Sequence, residues 1–212
     1  MADLNAIAES LMKGQAPKVK ELVQAAVDEG ISPQQILTEG LIAGMNVLGK
    51  KFKANEVYIP EVLIAARAMH AGMGILKPLL AKSGAKAAKV FMIGTVKGDL
   101  HDIGKNLVAM MMEGAGFDVA DIGIDVTSEK FVEMVREKKP EVLGMSALLT
   151  TTMPAMKSAV EAIKAAGLKD SVKIVIGGAP ITQSFADEIG ADGYAPDAAS
   201  AVDVSKKLLG MQ

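Results

Sequence analysis

The sequence contains no cysteine. Disulfides, zinc–thiolate sites, iron–sulfur clusters and thiol nucleophiles are therefore excluded, and a reactive metal has to arrive on nitrogen or oxygen ligands or inside a cofactor. Tryptophan is also absent and aromatic residues make up only 3%, against 14 methionines, whose plain reading is gap-filling in cores short of rings. No sign of charge dominates: the formal net charge of −2 offers little to nucleic acid or a membrane surface. No uninterrupted apolar run reaches the roughly 18 residues of a membrane span. Met1-Ala2-Asp3-Leu4-Asn5 does not open a basic-then-apolar leader, so no signal peptide and a cytoplasmic location are expected. What is present is 212 residues, 50% hydrophobic and 23% charged, an ordinary globular composition with chain enough for one large core or two modest ones.

Residues 1–81 carry helical periodicity alone. Leu4, Ile7, Ala8 and Leu11 are spaced i, i+3, i+4, i+7, with Gly14 as the stop. Val19, Leu22, Val23, Ala26 and Val27 repeat the pattern up to Gly30. Ser32-Pro33 supplies an N-cap and a first-turn proline for a third helix, expected to bury Ile36, Leu37, Leu41, Val47 and Leu48. Gly40 and Gly44 lower its helix propensity, which predicts either a close helix contact or a ligand approach there. After Ile59-Pro60, a fourth helix is expected to bury Val62, Leu63, Ala66, Met69, Met73 and Leu76. Four helices on short connections predict a small antiparallel bundle.

Residues 82–87, Lys82-Ser83-Gly84-Ala85-Lys86-Ala87, are small, polar and basic, and read as a linker. From there to residue 212 strand-like runs alternate with amphipathic helices. The strands are expected at Lys89 to Thr95, Phe117 to Ile122, Val142 to Ser146, Val172 to Ile176 and Gly193 to Ala195. The helices are expected from Ile103, Ser128, about Pro154, Gln183 and Ala198. Five β–α units in alternation predict an α/β domain, a doubly wound, five-stranded parallel sheet of flavodoxin-like, Rossmann-like type.

Three expected strand ends carry residues suited to chemistry. Gly98-Asp99-Leu100-His101-Asp102-Ile103-Gly104-Lys105-Asn106 follows the first strand, at the edge where open α/β sheets place ligands. It mimics a phosphate loop, but Asn106 stands where magnesium needs serine or threonine, and Gly98 is one residue too far from Gly104-Lys105. It does offer an imidazole with a carboxylate two residues away. A metal-ligating histidine commonly gives its other ring proton to a carboxylate, and Asp99 reaches His101 if the loop is extended. A general acid–base histidine, or a structural one, would read the same. His70, mid-helix in the bundle, is assigned to a helix surface or a domain contact. The third strand ends in the hydroxyl-rich Ser146-Ala147-Leu148-Leu149-Thr150-Thr151-Thr152, and the fourth in Gly177-Gly178, where paired glycines let a ligand approach the backbone.

Asp99-x-His101-x-x-Gly104, Ser146-x-Leu148 and Gly177-Gly178 resemble the three-part signature of cobalamin-binding domains, spaced as in methionine synthase and the methylotrophic corrinoid proteins. The resemblance extends over the whole chain, because the methyl carriers of that family also have a four-helix cap before the sheet domain. It implies a corrinoid bound with its own lower base displaced, His101 as the lower cobalt ligand and Asp99 hydrogen-bonded to it. Gly98, Asp102, Ile103, Gly104 and Leu148 would also bind the cofactor, Ser146, Thr150, Gly177 and Gly178 would line the slot for the nucleotide tail, and Ala198 would be another tail contact. The serine of the methionine synthase ligand relay falls at Thr152, which retains a hydroxyl. Tyr58-Ile59-Pro60 resembles the start of the cap helix over the upper corrin face, which makes Tyr58 the candidate shield for the carried methyl group.

The function implied is a methyl carrier, serving a substrate-specific methyltransferase and a second one that passes the methyl to a thiol or tetrahydrofolate. A corrinoid reductive activase would be a further partner, and the cap would swing about residues 82–87 to admit the partners. The rivals are a small subunit of an adenosylcobalamin-dependent mutase, which usually lacks the cap, a corrinoid sensor, which needs an output module, and a plain flavodoxin-like binding module.

Overall fold

The computed structural model describes residues 3–82 and 88–211. The expected linker, apart from Lys82, lies outside the described residues. The chain divides into two compact units, an N-terminal helical one, with which residues 114–116 group, and one made of residues 89–113 and 117 onward.

In the helical unit, α1 (Leu4–Met12) is capped by the Asp3 carboxylate, which accepts from the Asn5 N–H at 2.9 Å. α2 (Ala16–Asp28) follows after Gly14, whose φ of 68° makes the turn. The third stretch opens on Ser32, which accepts from the Gln35 N–H at 3.2 Å. It runs as α3 (Pro33–Gln35), a π-helical segment (Ile36–Ile42) and α4 (Ala43–Lys53). α5 (Ile59–Lys82) completes the unit and packs along α2. Ile7, Leu11, Val23, Leu41, Val62 and Leu76 are fully buried in its core.

Two of the expected core residues face outward. Val47 is 42% exposed because the wider π-helical turns before it rotate the following residues out of α-helical phase. Leu63, also 42% exposed, sits one position off the stripe formed by Val62, Ala65, Ala66, Met69 and Leu76. Helix contact, not a ligand, accounts for the third-helix glycines: a Cβ at Gly40 would come within 3.2 Å of Ile7, and one at Gly44 within 3.0 Å of the Ala8 carbonyl oxygen. α5 has the length and composition of a membrane-crossing helix, with a mean hydropathy of 1.3 over its most apolar window. Seven of its residues are nevertheless buried in this unit, from Val62 to Leu76.

The second unit alternates β1 (Val90–Thr95), α6 (Ile103–Gly114), β2 (Asp118–Asp121), α7 (Ser128–Lys138), β3 (Val142–Ser146), α8 (Met153–Ala165), β4 (Lys173–Gly177), α9 (Gln183–Ile189), β5 (Gly193–Tyr194) and α10 (Ala198–Leu208). All strand pairs are parallel and the sheet order is β2-β1-β3-β4-β5, the flavodoxin-like arrangement. One face buries Met92, Leu143, Met145 and Ile174 against Phe131, Met156 and Val160 from α7 and α8. β1 and β3 are apolar nearly throughout because both their edges and both their faces are covered. β1 connects to one side of the sheet and β3 to the other. Their carboxyl ends, in register at Thr95 and Ser146, therefore diverge into a crevice at the topological switch point.

Candidate functional site

A turn from Val96 to Asp99 leaves β1, closed by the Asp99 N–H on the Val96 carbonyl at 3.1 Å. Gly98 takes φ 82° at its third position, a conformation that favours glycine. The turn drives the Asp99 side chain into the crevice, where it is fully buried. Oδ1 accepts from the His101 N–H at 3.0 Å and faces His101 Nδ1 at 2.7 Å. Oδ2 accepts from the Leu148 N–H at 2.7 Å and from Thr152 Oγ1 at 2.8 Å. One carboxylate thus ties the loop after β1 to the loop after β3.

Burial pushes the Asp99 pKa up, but the hydrogen bonds from Leu148, from the His101 backbone and ring, and from Thr152 together outweigh it. The carboxyl is held well below the usual range and is ionised at neutral pH. An ionised carboxylate only accepts, so in the neutral imidazole Nδ1 carries the proton and Nε2 keeps its lone pair. The His101 side chain is 51% exposed, and Nε2 has no protein partner among the described residues. Thr152 reaches Asp99 because Thr150–Thr152 form a single 3₁₀ turn that folds back after Leu149.

The loops around His101 expose several large apolar side chains beside polar ones such as Asp102 and Thr150. Leu100 and Ile103 are 67% and 77% exposed, and Ile124, Leu148 and Leu149 are also exposed at the ends of β2 and β3. Asp102 precedes α6; its carbonyl accepts from the Asn106 N–H at 2.7 Å and its side chain from Asn106 Nδ2 at 3.1 Å. A Cβ at Gly104 would meet nothing within 4 Å, so the fold itself does not call for a glycine there. Ser146 and Gly177 are paired in register on neighbouring strands, Thr150 is exposed, and Ala198 is buried at the first residue of α10. The close approach at the paired glycines is made by the chain's own backbone. A Cβ at Gly177 would lie 2.9 Å from the Ala195 oxygen, and one at Gly178 (φ 131°) only 1.8 Å from the Ala147 oxygen. Tyr58 stands 64% exposed just before α5, its N–H bonded to Glu61 at 3.2 Å, and His70 is exposed on α5. The cavity of about 580 Å³ between α7 and α8, lined by Glu129, Glu133, Arg136 and Ala162 among others, shares no residue with this site.

A half-exposed imidazole among loops that expose large apolar side chains suits one face of a flat macrocycle that brings its own metal. Among the described residues no group of three or more His, Cys, Asp or Glu could hold an ion unaided. A family profile described as the B12 binding domain matches residues 89–203, and a second profile of the same description matches residues 3–77. The chain belongs to the B12-binding family. It is 44% identical over 208 residues to a dimethylamine corrinoid protein of Methanosarcina barkeri, covering 97% of each chain. Its structure is similar to that of a cobalamin-binding protein from Desulfitobacterium hafniense, with a TM-score of 0.81, 33% identity and 98% of both chains covered. It is similar also to the methanol:cobalamin methyltransferase complex MtaBC of Methanosarcina barkeri, with a TM-score of 0.86, 30% identity, and 99% of this chain and 80% of that one covered.

Several polar residues of this B12-binding domain escape sequence reasoning. Thr95 is fully buried and donates from Oγ1 to the His101 carbonyl at 2.9 Å. Asp125 accepts from the Gly98 N–H at 2.7 Å. Lys105 is 3% exposed, pairs with Asp121 and reaches Asn106 Oδ1 at 2.7 Å. Threonine in a strand and aspartate in a loop are commonplace, and only the fold shows which backbone groups they meet.

Proposed function

We propose that this chain is a corrinoid-binding methyl carrier, serving a substrate-specific methyltransferase and an acceptor methyltransferase that delivers the methyl to a thiol or to tetrahydrofolate. The observation that supports it most directly is the 2.7 Å contact from His101 Nδ1 to a fully buried Asp99, which leaves Nε2 of a half-exposed imidazole without a protein partner among the described residues. A bound corrinoid supplies a cobalt that takes up and hands on a methyl group. The residues of this chain do the rest. His101 Nε2 would hold the cobalt of a bound corrinoid in place of the corrinoid's own base. Asp99 fixes the imidazole tautomer and raises its basicity, and Thr152 steadies the far carboxylate oxygen. Leu100, Ile103 and Leu148 would exclude water from the bound corrinoid, and the open space at Gly104 would leave room for it.

Ser146, Thr150, Gly177, Gly178 and Ala198 are assigned to the displaced nucleotide tail, and Tyr58, in the helical unit, to shielding the carried methyl group. A reductive activase is a further partner, and the cytoplasm the proposed setting. The domain assignment is a cap over residues 1–81, a linker over 82–87 and a corrinoid-binding domain over 88–212. The test is reconstitution with hydroxocobalamin of the wild type and of His101→Ala. The variant is expected to show the spectrum of a corrinoid without a protein imidazole; identical spectra would overturn the ligand assignment.

A further inference from the structure

The loop after β2 touches the His101 segment at both ends. At one end, Asp121 pairs with the buried Lys105 in the first turn of α6, and its other oxygen accepts from the Gly123 N–H at 2.9 Å. At the other end, Asp125 accepts from the Gly98 N–H at 2.7 Å through Oδ1 and donates its own N–H to the Asp99 carbonyl at 3.1 Å. The loop is also pinned to β1: the Ile122 N–H donates to the Ile93 carbonyl at 2.8 Å, the Thr95 N–H to the Gly123 carbonyl at 3.0 Å, and the Val126 N–H to the Thr95 carbonyl at 2.9 Å. Ile124 and Asp125 alone lie between the pins, and Asp125 is left at φ 53°, in the left-handed region that non-glycine residues rarely enter. Such a conformation persists where the surroundings over-determine it. Thr95 also holds the His101 carbonyl, so the loop and the histidine share one anchor.

We infer that the loop of residues 121–126 is a brace for the metal-ligating histidine, with Asp125 as a positioning residue that acts through the Gly98–Asp99 backbone. The inference rests on His101 being the cobalt ligand, and goes beyond it by assigning the residue that sets the ligand's aim. Asp125 does not touch the imidazole. It fixes the turn from which the Asp99 carboxylate projects, and Asp99 fixes the ring.

Asp125→Gly separates fold from aim, because glycine is at ease at φ 53° and the variant keeps its fold while losing the acceptor for Gly98. Asp125→Asn keeps an acceptor and tolerates the same backbone. Long-range ¹H–¹⁵N spectra of the protein without corrinoid read the His101 tautomer directly. Wild type and Asp125→Asn are expected to show a single Nδ1–H form, and Asp125→Gly a mixture. Hydroxocobalamin titration is expected to show about tenfold weaker binding for Asp125→Gly alone. A wild-type tautomer and affinity in Asp125→Gly, or an Asp125→Asn as impaired as the glycine variant, would overturn the brace. A His101→Ala spectrum identical to wild type would instead sink the ligand assignment, while the tautomer comparison would still stand.

Discussion

Replacing Asp99 with asparagine keeps the shape of the side chain and removes its charge. The carboxylate serves donors on both sides, the His101 N–H and Nδ1–H on Oδ1 and the Leu148 N–H and Thr152 hydroxyl on Oδ2. Asparagine has one accepting oxygen. If that oxygen faces His101, its NH₂ group opposes the Leu148 N–H, while Thr152 escapes by turning its proton to the Leu149 carbonyl, already 2.9 Å away. If the amide is flipped, it opposes the His101 N–H and forces the ring proton onto Nε2, where it blocks metal ligation. Either way one donor is stranded, at about 1–3 kcal/mol, and two bonds to a charged acceptor become neutral ones, for a total of about 3 kcal/mol. With a urea dependence of about 2 kcal/mol/M, the midpoint should fall by about 1.5 M.

The Asp99 contribution also has a pH signature. Its folded pKa is depressed, so its stabilisation is complete above the unfolded value of about 4 and is lost as pH falls towards the folded value. The stability gap between wild type and Asp99→Asn should be flat above about pH 5 and shrink by ~1.4 kcal/mol for each pH unit below about 4. The chain has two tyrosines and no tryptophan, so in a Tyr58→Phe background Tyr194 of β5 reports unfolding of the sheet unit alone. A gap that stays constant from pH 6 to pH 3 would refute the charged, four-bonded carboxylate.

Gly178→Ala places a methyl group 1.8 Å from the Ala147 oxygen and should lower sheet-unit stability by at least ~3 kcal/mol in urea titration; a fully stable variant would contradict the packing of β3 against β4. Gly104→Ala should do the opposite, raising stability by up to about 1 kcal/mol through helix propensity while weakening hydroxocobalamin binding. Unchanged binding would mean that the ring does not approach α6 at that residue. Thr152→Val removes the hydroxyl on Asp99 Oδ2 and should cost about 1–2 kcal/mol, measured by the same tyrosine emission. For Tyr58→Ala the expected result is faster photolysis of the methylated protein at unaltered corrinoid content; an unchanged rate would remove Tyr58 from the shielding role.

Much of the architecture was legible because periodicity is a local property. Alternating strand and helix patterns located all five strands within about two residues, and the order of β–α units implied the parallel sheet. The π-helical segment at Ile36–Ile42 was not legible, since so short a stretch of wider turns leaves no signature in the spacing of apolar residues, and the expected burial of Val47 failed with it. Asp99 and His101 announced themselves by lying two residues apart after a strand. Thr95, Asp125 and Asp121 did not, because their partners come from other loops.

The amino-acid sequence by itself determined the composition of the site: a chain without cysteine, one histidine in a strand-end loop, a carboxylate beside it and a hydroxyl at residue 152. Only the tertiary structure decided that these form one hydrogen-bonded unit. Parallel pairing of β1 with β3 brings loops some fifty residues apart side by side, and the switch point opens the crevice that buries Asp99. Burial removes water as the alternative partner for its oxygens, so the four donors that replace it fix the charge on Asp99 and the tautomer of His101.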